Sequence, residues 1–181
     1  MIGWKVGFGA PDALERLGLE RPLVAPLPAS GRLPDGASVS LAGWVAPRLE
    51  AEVAVWVGRG LGVAIELADL EFSPDDVDRI LAAGIYHRHS MLGPPVAETL
   101  AGVTARVYRD GDEAAATDDL TALTGDLDWV LETVRLAAGR ELHEGEVVIA
   151  GAVVPPAAVA RGERWRVELG PLGALEVSFT G

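Results

Sequence analysis

Apolar and polar residues alternate most regularly over residues 48–57. Leu49, Ala51, Val53, Val55 and Val57 fall on one side, and Glu50, Glu52, Ala54 and Trp56 on the other. Successive side chains of an extended chain point to opposite faces, so this period of two predicts a strand with one face in a core. Residues 63–70 read as a second apolar strand, interrupted by Glu66. Shorter extended runs cover 2–8, 38–41, 103–108, 146–150, 164–169 and 174–179. Helical signals are fewer. Residues 11–17 predict a short helical turn. Ser73-Pro74-Asp75-Asp76 carries a cap, a first-turn proline and first-turn acids, and predicts a helix to about Ala83. A longer helix is expected after Asp118 or Asp119, interrupted around Gly125 and stopped by Gly139. The expected fold is α+β and β-rich, a mixed or barrel-like sheet with two or three helices.

Composition narrows this picture. With 22 Gly and 12 Pro spread along 181 residues, the chain reads as many turns between short strands. The length suits a single domain over 1–181 with a real core. No apolar run approaches the roughly 20 residues of a membrane-spanning helix, so no membrane partner is expected. The opening Met1-Ile2-Gly3-Trp4-Lys5 lacks the basic-then-apolar order of a secretory signal, and a cytoplasmic protein is expected. The absence of Cys excludes disulfides and thiol nucleophiles. A net charge of −12 argues against a nucleic-acid partner, which needs clustered Lys and Arg.

Chemistry concentrates in three places. Glu50 and Glu52 lie two apart on one strand and share a face, where they repel unless solvent or a cation intervenes. Glu66 lies in the apolar run Val63-Ala64-Ile65-Glu66-Leu67-Ala68, where an unpaired carboxylate is costly. Its same-face neighbours Ala64 and Ala68 leave space around it. Three carboxylates from two strands suit a hard divalent ion such as Mg²⁺ or Mn²⁺. A solvated Glu50 and Glu52 with Glu66 paired to an Arg is the competing arrangement. Lys5, between Trp4 and Val6, is either an acid, base or carboxylate anchor or a surface Lys with a buried stem. In Tyr86-His87-Arg88-His89 the two imidazoles are two apart and both serve a site if the segment is extended. No dinucleotide-binding glycine motif, P-loop or Gly-x-Ser-x-Gly elbow is present.

These pieces resemble the fumarylacetoacetate hydrolase superfamily, in particular its 2-keto-4-pentenoate hydratase and 4-oxalocrotonate decarboxylase branch. Gly3-Trp4-Lys5-Val6-Gly7 is similar to the family's Gly-aromatic-Lys-Ile/Val-Gly opening, and Pro47-Arg48-Leu49-Glu50-Ala51-Glu52 to its Pro-Arg-x-Glu-x-Glu metal motif. Ala64-Ile65-Glu66-Leu67-Ala68-Asp69 is similar to the segment carrying the third metal carboxylate. Gly145-Glu146-Val147-Val148-Ile149-Ala150-Gly151 and residues 159–179 resemble the closing strands.

The resemblance implies a mixed β-roll and Mg²⁺ or Mn²⁺ on Glu50, Glu52 and Glu66. It also implies a small 2-oxo (2-enol) carboxylic acid as substrate, processed through a metal-stabilised enolate by a hydratase-like lyase, a decarboxylase or a C–C bond hydrolase. Lys5 and His87 are the expected catalytic residues, with Lys5, Tyr86, His89 and Gly151 against the substrate. The departures matter too. The helical region that usually precedes the Lys motif is not expected here, and only 14 positions separate Glu52 from Glu66, where the family places a helix. The family's pocket acid and its Asn and Ser are replaced, and Ala150 and Ala152 stand where hydroxyls are usual. The chain is then either an enzyme for a more apolar oxo-acid or a reduced paralogue that binds without catalysis. A homodimer covering exposed core surface is a further expectation.

Overall fold

The computed structural model describes residues 1–96 and 99–181. The first half carries β1 (Gly3–Gly7), α1 (Pro11–Leu17), β2 (Leu23–Leu27), β3 (Arg32–Leu33) and β4 (Ala37–Ser40). The long hairpin β5 (Pro47–Trp56) and β6 (Gly60–Asp69) follows, then α2 (Val77–Ala82) and β7 (His87–Leu92). The second half carries β8 (Ala105–Arg109), β9 (Asp112–Thr117), α3 (Leu127–Ala138) and β10 (Val147–Ala152). It closes with β11 (Ala157–Ala158), β12 (Arg164–Glu168) and β13 (Ala174–Thr180). The fold is strand-rich α+β, as the patterning predicts.

Two mixed sheets form the body. The larger runs β2-β1-β10-β5-β6-β7-β3, with β11 paired to the start of β5; the smaller runs β4-β13-β12-β8-β9. The pairs β1–β10, β3–β7 and β4–β13 are parallel and the others antiparallel. The smaller sheet packs its Val107, Trp165, Val167 and Val177 onto Leu49, Val53, Ile65 and Leu67 of the hairpin. That core takes the apolar parity of β5 and β6. The opposite parity, with the three glutamates, is left facing away from the second sheet.

The elements differ from the sequence expectation where a cap or bulge intervenes. Asp76, not Ser73, caps α2, accepting a hydrogen bond from the backbone N–H of Arg79 at 3.1 Å. Gly125 adopts a left-handed conformation (φ 80°), so α3 starts after it, capped by Asp126, and residues 118–125 form turns. The patterning shows neither β7 nor β9. The Asp-Glu-Ala-Ala-Ala-Thr sequence of β9 is largely solvated at a sheet edge. The missing helix between Glu52 and Glu66 is explained by the β5–β6 hairpin, which turns tightly between Trp56 and Gly60.

Among the described residues, the large apolar side chains left exposed are Met1, Val45, Leu81 and Leu136, from four separate segments. Isolated exposures of this kind are normal, and the apolar face expected for a dimer finds no support in them.

Asp69, at the end of β6, ties the site-bearing elements together. Its buried carboxylate accepts from the backbone N–H groups of Val45 at 3.0 Å and Ala46 at 2.7 Å, which lead into β5. Its own N–H donates to the Tyr86 carbonyl at 2.9 Å. Removing the carboxylate strands two donors, each worth about 1–3 kcal/mol when left unsatisfied. Asp69→Ala is therefore expected to lower unfolding stability by at least about 2 kcal/mol, read from urea denaturation; an unchanged midpoint would dismiss the clamp.

Candidate active site

The hairpin register builds the carboxylate cluster. Ten consecutive pairs run from Pro47↔Asp69 to Trp56↔Gly60, and they set Glu50 directly across from Glu66 and Glu52 across from Ala64. Like charges facing one another across a ladder destabilise it, so the arrangement calls for a counter-ion. One carboxylate oxygen from each of Glu50, Glu52 and Glu66 lies within 4.8 Å of the others. Glu52 and Glu66 are fully buried, while Glu50 is half-buried because it opens onto a cavity.

Each buried carboxylate has one oxygen engaged and one free. Glu52 Oε2 accepts the backbone N–H of Gly151 at 2.8 Å. A bulge in β10 between Ile149 and Ala152, with Gly151 at φ 100°, turns that N–H toward Glu52. Glu66 Oε1 pairs with the ammonium of Lys5 and with His87 Nδ1 at 2.9 Å. Glu52 Oε1 and Glu66 Oε2 have no hydrogen-bond partner among the described residues. Buried acceptors are rarely left so. An all-oxygen donor set with two oxygens unclaimed fits a hard divalent cation.

The charges follow this geometry. Burial, then the Glu66 charge, pushes the Glu50 carboxyl up to about 7. Burial pushes Glu52 well above the carboxylate range, and Glu66 and Glu50 add to the rise. Burial also works against ionised Glu66. The Lys5 charge and the hydrogen bond with His87 outweigh it and hold Glu66 below its usual value.

Lys5 has its stem inside the protein and its Nζ on Glu66 and on the Ile85 carbonyl at 2.9 Å. An ammonium has three donors, so one remains for the cavity that Lys5 lines. Ile85 and Tyr86 both have positive φ (54° and 62°), as does Phe8 (60°). A β-branched residue in this region is strained. Here the strained turn aims the Ile85 carbonyl at Lys5, and all three residues line the same cavity of about 270 Å³.

The two histidines part company. In a regular strand His87 and His89 would share a face. In β7 His89 pairs with Leu67 and His87 with Ala68, so Arg88 is an extra, bulged residue between them. The bulge re-aims His87 onto the Glu66 face. His89 points to the opposite face and stacks on Trp44, with ring centroids 6.0 Å apart. The structure therefore does not bring His89 to the cluster; burial lowers its pKa where it stands. Tyr86 lines the cavity, but its hydroxyl is committed to the Phe72 carbonyl at 3.1 Å. Gly151 both lines the cavity and bonds Glu52. The sequence reading misses three contributors. They are the Ile85 carbonyl, the Asp69 clamp, and Ser90, which is buried across from Glu66 with its Oγ unpaired among the described residues.

No family model matches the chain. It is 26% identical to the TodF product hydratase of Pseudomonas putida over 205 aligned positions, covering 99% of this chain and 76% of the hydratase. It is 27% identical to 2-keto-4-pentenoate hydratase 2 of Dechloromonas aromatica, covering 99% of this chain and 78% of that protein. Among solved structures, 4-oxalocrotonate decarboxylase from Pseudomonas putida G7, complexed with magnesium and adipate, superposes with a TM-score of 0.86 at 20% identity, over 99% of this chain and 78% of that one. Fumarylpyruvate hydrolase from Pseudomonas aeruginosa, in complex with Mn²⁺ and pyruvate, superposes with a TM-score of 0.75 at 19% identity, over 98% and 88%. Sequence similarity to hydratases along nearly the whole chain, joined to this shared fold, supports the resemblance to the fumarylacetoacetate hydrolase superfamily of enzymes.

Proposed function

We propose that the protein is a divalent-metal-dependent enzyme acting on a 2-oxo (2-enol) carboxylic acid, with hydratase-like lyase chemistry and Mg²⁺ or Mn²⁺ on Glu50, Glu52 and Glu66. The observation that carries this reading is the carboxylate cluster itself. Three buried or half-buried glutamates converge, with unclaimed oxygens, beside a cavity whose wall includes Lys5. The similarity to hydratases along the chain supports the lyase over the decarboxylase and the C–C hydrolase.

A bound divalent ion supplies Lewis acidity toward the 2-oxo oxygen. The remaining work falls to side chains of this chain. Lys5 holds one N–H toward the cavity, placed to bind a substrate carboxylate or to pass a proton at the carbon next to the oxo group. The Ile85 carbonyl and Glu66 fix the direction of that ammonium. His87 does not line the cavity; through Nδ1 it holds Glu66, and orienting a ligand is the role its geometry supports. The Gly151 N–H does the same for Glu52.

Proton exchange tests this reading. The Mg²⁺-loaded protein in D₂O is expected to exchange the C3 protons of 2-oxobutanoate at least about a hundredfold faster than Mg²⁺ alone, the low end of general acid–base contributions. NMR follows the loss of the C3 signal. Exchange should be lost in Glu66→Gln. A loaded protein that binds the acid without exchanging its protons would instead favour the non-catalytic paralogue.

A further inference from the structure

The larger sheet sets its side chains out in rows across the strands. Glu50, Glu66 and Ser90 form one row, because β5 pairs Glu50 with Glu66 and β7 pairs Ser90 with Glu66. The rows to either side are Glu52, Ala64 and Leu92, and Arg48, Ala68 and His87. Residues facing one another across a ladder have Cβ atoms about 4.5–5.5 Å apart. The Ser90 hydroxyl and the Glu66 carboxylate are therefore neighbours.

Glu66 is pinned at one oxygen. Oε1 takes Lys5 and His87, while Oε2 has no partner among the described residues. Ala64 and Ala68, before and after Glu66 on its own face, leave Oε2 room to swing about that pivot. Ser90 supplies a second, independent observation. It is completely buried, and its Oγ also has no partner among the described residues. On one side of it the face turns apolar, with Leu92 packed against Leu27, Ala54, Ala64 and Ile149. The polar side chains beside it on this face are those of Glu66 and His87. Trp4, Trp56, His89 and Arg135 carry buried unpaired nitrogens as well, and none of them stands in the Glu66 row. A buried hydroxyl is rarely left without a partner. A carboxylate oxygen has two acceptor positions, so Oε2 can serve a hydroxyl and a cation together.

We propose that Ser90 is a positioning residue that hydrogen-bonds Glu66 Oε2, directly or across one buried water, and so makes the site select a small octahedral ion over Ca²⁺. This rests on the metal reading proposed above and names what tunes that site. Mg²⁺ demands near-ideal octahedral geometry at short distances, and Mn²⁺ shares the octahedral oxygen preference. Ca²⁺ takes more oxygens in looser arrangements and often uses a carboxylate through both of its oxygens. Glu66 has a single oxygen to offer, since Oε1 already carries Lys5 and His87. Holding that oxygen still suits the smaller ions and brings Ca²⁺ little.

The test is competition calorimetry of metal-stripped wild type, Ser90→Ala and Ser90→Thr with Mn²⁺ and Ca²⁺. Ser90→Ala should lower Mn²⁺ affinity by about 10–100-fold, the range for residues that orient a metal ligand. Ca²⁺ affinity should stay nearly unchanged, so the preference for Mn²⁺ falls by at least about tenfold. Ser90→Thr keeps the hydroxyl and should keep the preference. A Ser90 that merely fills space would move both ions together or neither. Ser90→Ala removes one buried atom and keeps the fold, so its ratio decides even if Ser90→Thr does not fold. A wild type without a preference, an unchanged preference in Ser90→Ala, or an equal loss in folded Ser90→Thr would overturn the role of Ser90 alone. Absence of binding of both ions to wild type would remove the metal reading and this inference with it.

Discussion

Glu52→Gln is expected to abolish tight divalent-metal binding and, in the same protein, to leave the metal-free fold as stable as wild type or more so. Glutamine has nearly the same shape and keeps an oxygen for the Gly151 N–H that Glu52 Oε2 now accepts. What disappears is a buried carboxyl whose ionisation is opposed by burial and by Glu66 and Glu50, and whose own Oε1 has no partner among the described residues. Without metal, that charge opposes folding. The sign follows from proton linkage. A carboxyl whose folded pKa is raised binds more protons in the folded state, so stability is highest at low pH and falls as pH rises toward the folded value. Glu50, raised from 4.5 to about 7, sets the window. Metal-free wild type should lose stability between those pH values, and Glu52→Gln should flatten the decline. For metal the sign reverses. Losing a ligand should cost more than the 10–100-fold typical of residues that only orient ligands. Melting curves in chelator and a Mn²⁺ titration read both halves. A destabilised Glu52→Gln protein would mean that Glu52 serves the fold and not a cation.

Lys5→Met is expected to act in the opposite direction. The Lys5–Glu66 pair is fully buried. Removing one partner of such a pair leaves an uncompensated charge in the interior and costs about 3–5 kcal/mol. Met keeps the stem packed against the core, so the loss is electrostatic. Metal binding should survive, because Glu66 Oε2 is unaffected and a competing cation has gone. Divalent metal should therefore restore part of the lost stability, by about 2.7 kcal/mol at a free concentration a hundred times its Kd. Urea denaturation with and without Mg²⁺ measures this. Equal stability of Lys5→Met and wild type in chelator would remove the buried pair from the account.

The three glutamates were legible because the strand period and hairpin geometry are local. Alternation over 48–57 puts Glu50 and Glu52 on one face, and the tight turn before Gly60 carries that face onto Glu66. Lys5 was legible as an out-of-place charge in an apolar strand. The histidines were not separable by spacing. His87 and His89 are two apart, and only the extra residue Arg88 sends them to opposite faces. A bulge leaves little mark in a pattern of apolar and polar positions, which is also why β7 was invisible. The Ile85 carbonyl lay beyond reach for a different reason. It depends on a left-handed turn at Ile85 and Tyr86 that no propensity favours, held in place by Lys5 and by the Asp69 N–H. Backbone atoms recruited to a site have no side-chain signature. The cavity wall was foreshadowed only by the alanines at 150 and 152.

The central claim is that Glu50, Glu52 and Glu66 hold one divalent ion that a 2-oxo acid can join. Calorimetric titration of the metal-stripped protein with Mn²⁺, alone and with oxalate as an enolate mimic, tests it most directly. The expected result is one ion per chain, bound more tightly with oxalate present and not bound by Glu66→Gln. Because the coupling is reciprocal, oxalate should likewise bind more tightly once Mn²⁺ is present. No Mn²⁺ binding in either condition, or binding that Glu66→Gln retains, would contradict the claim.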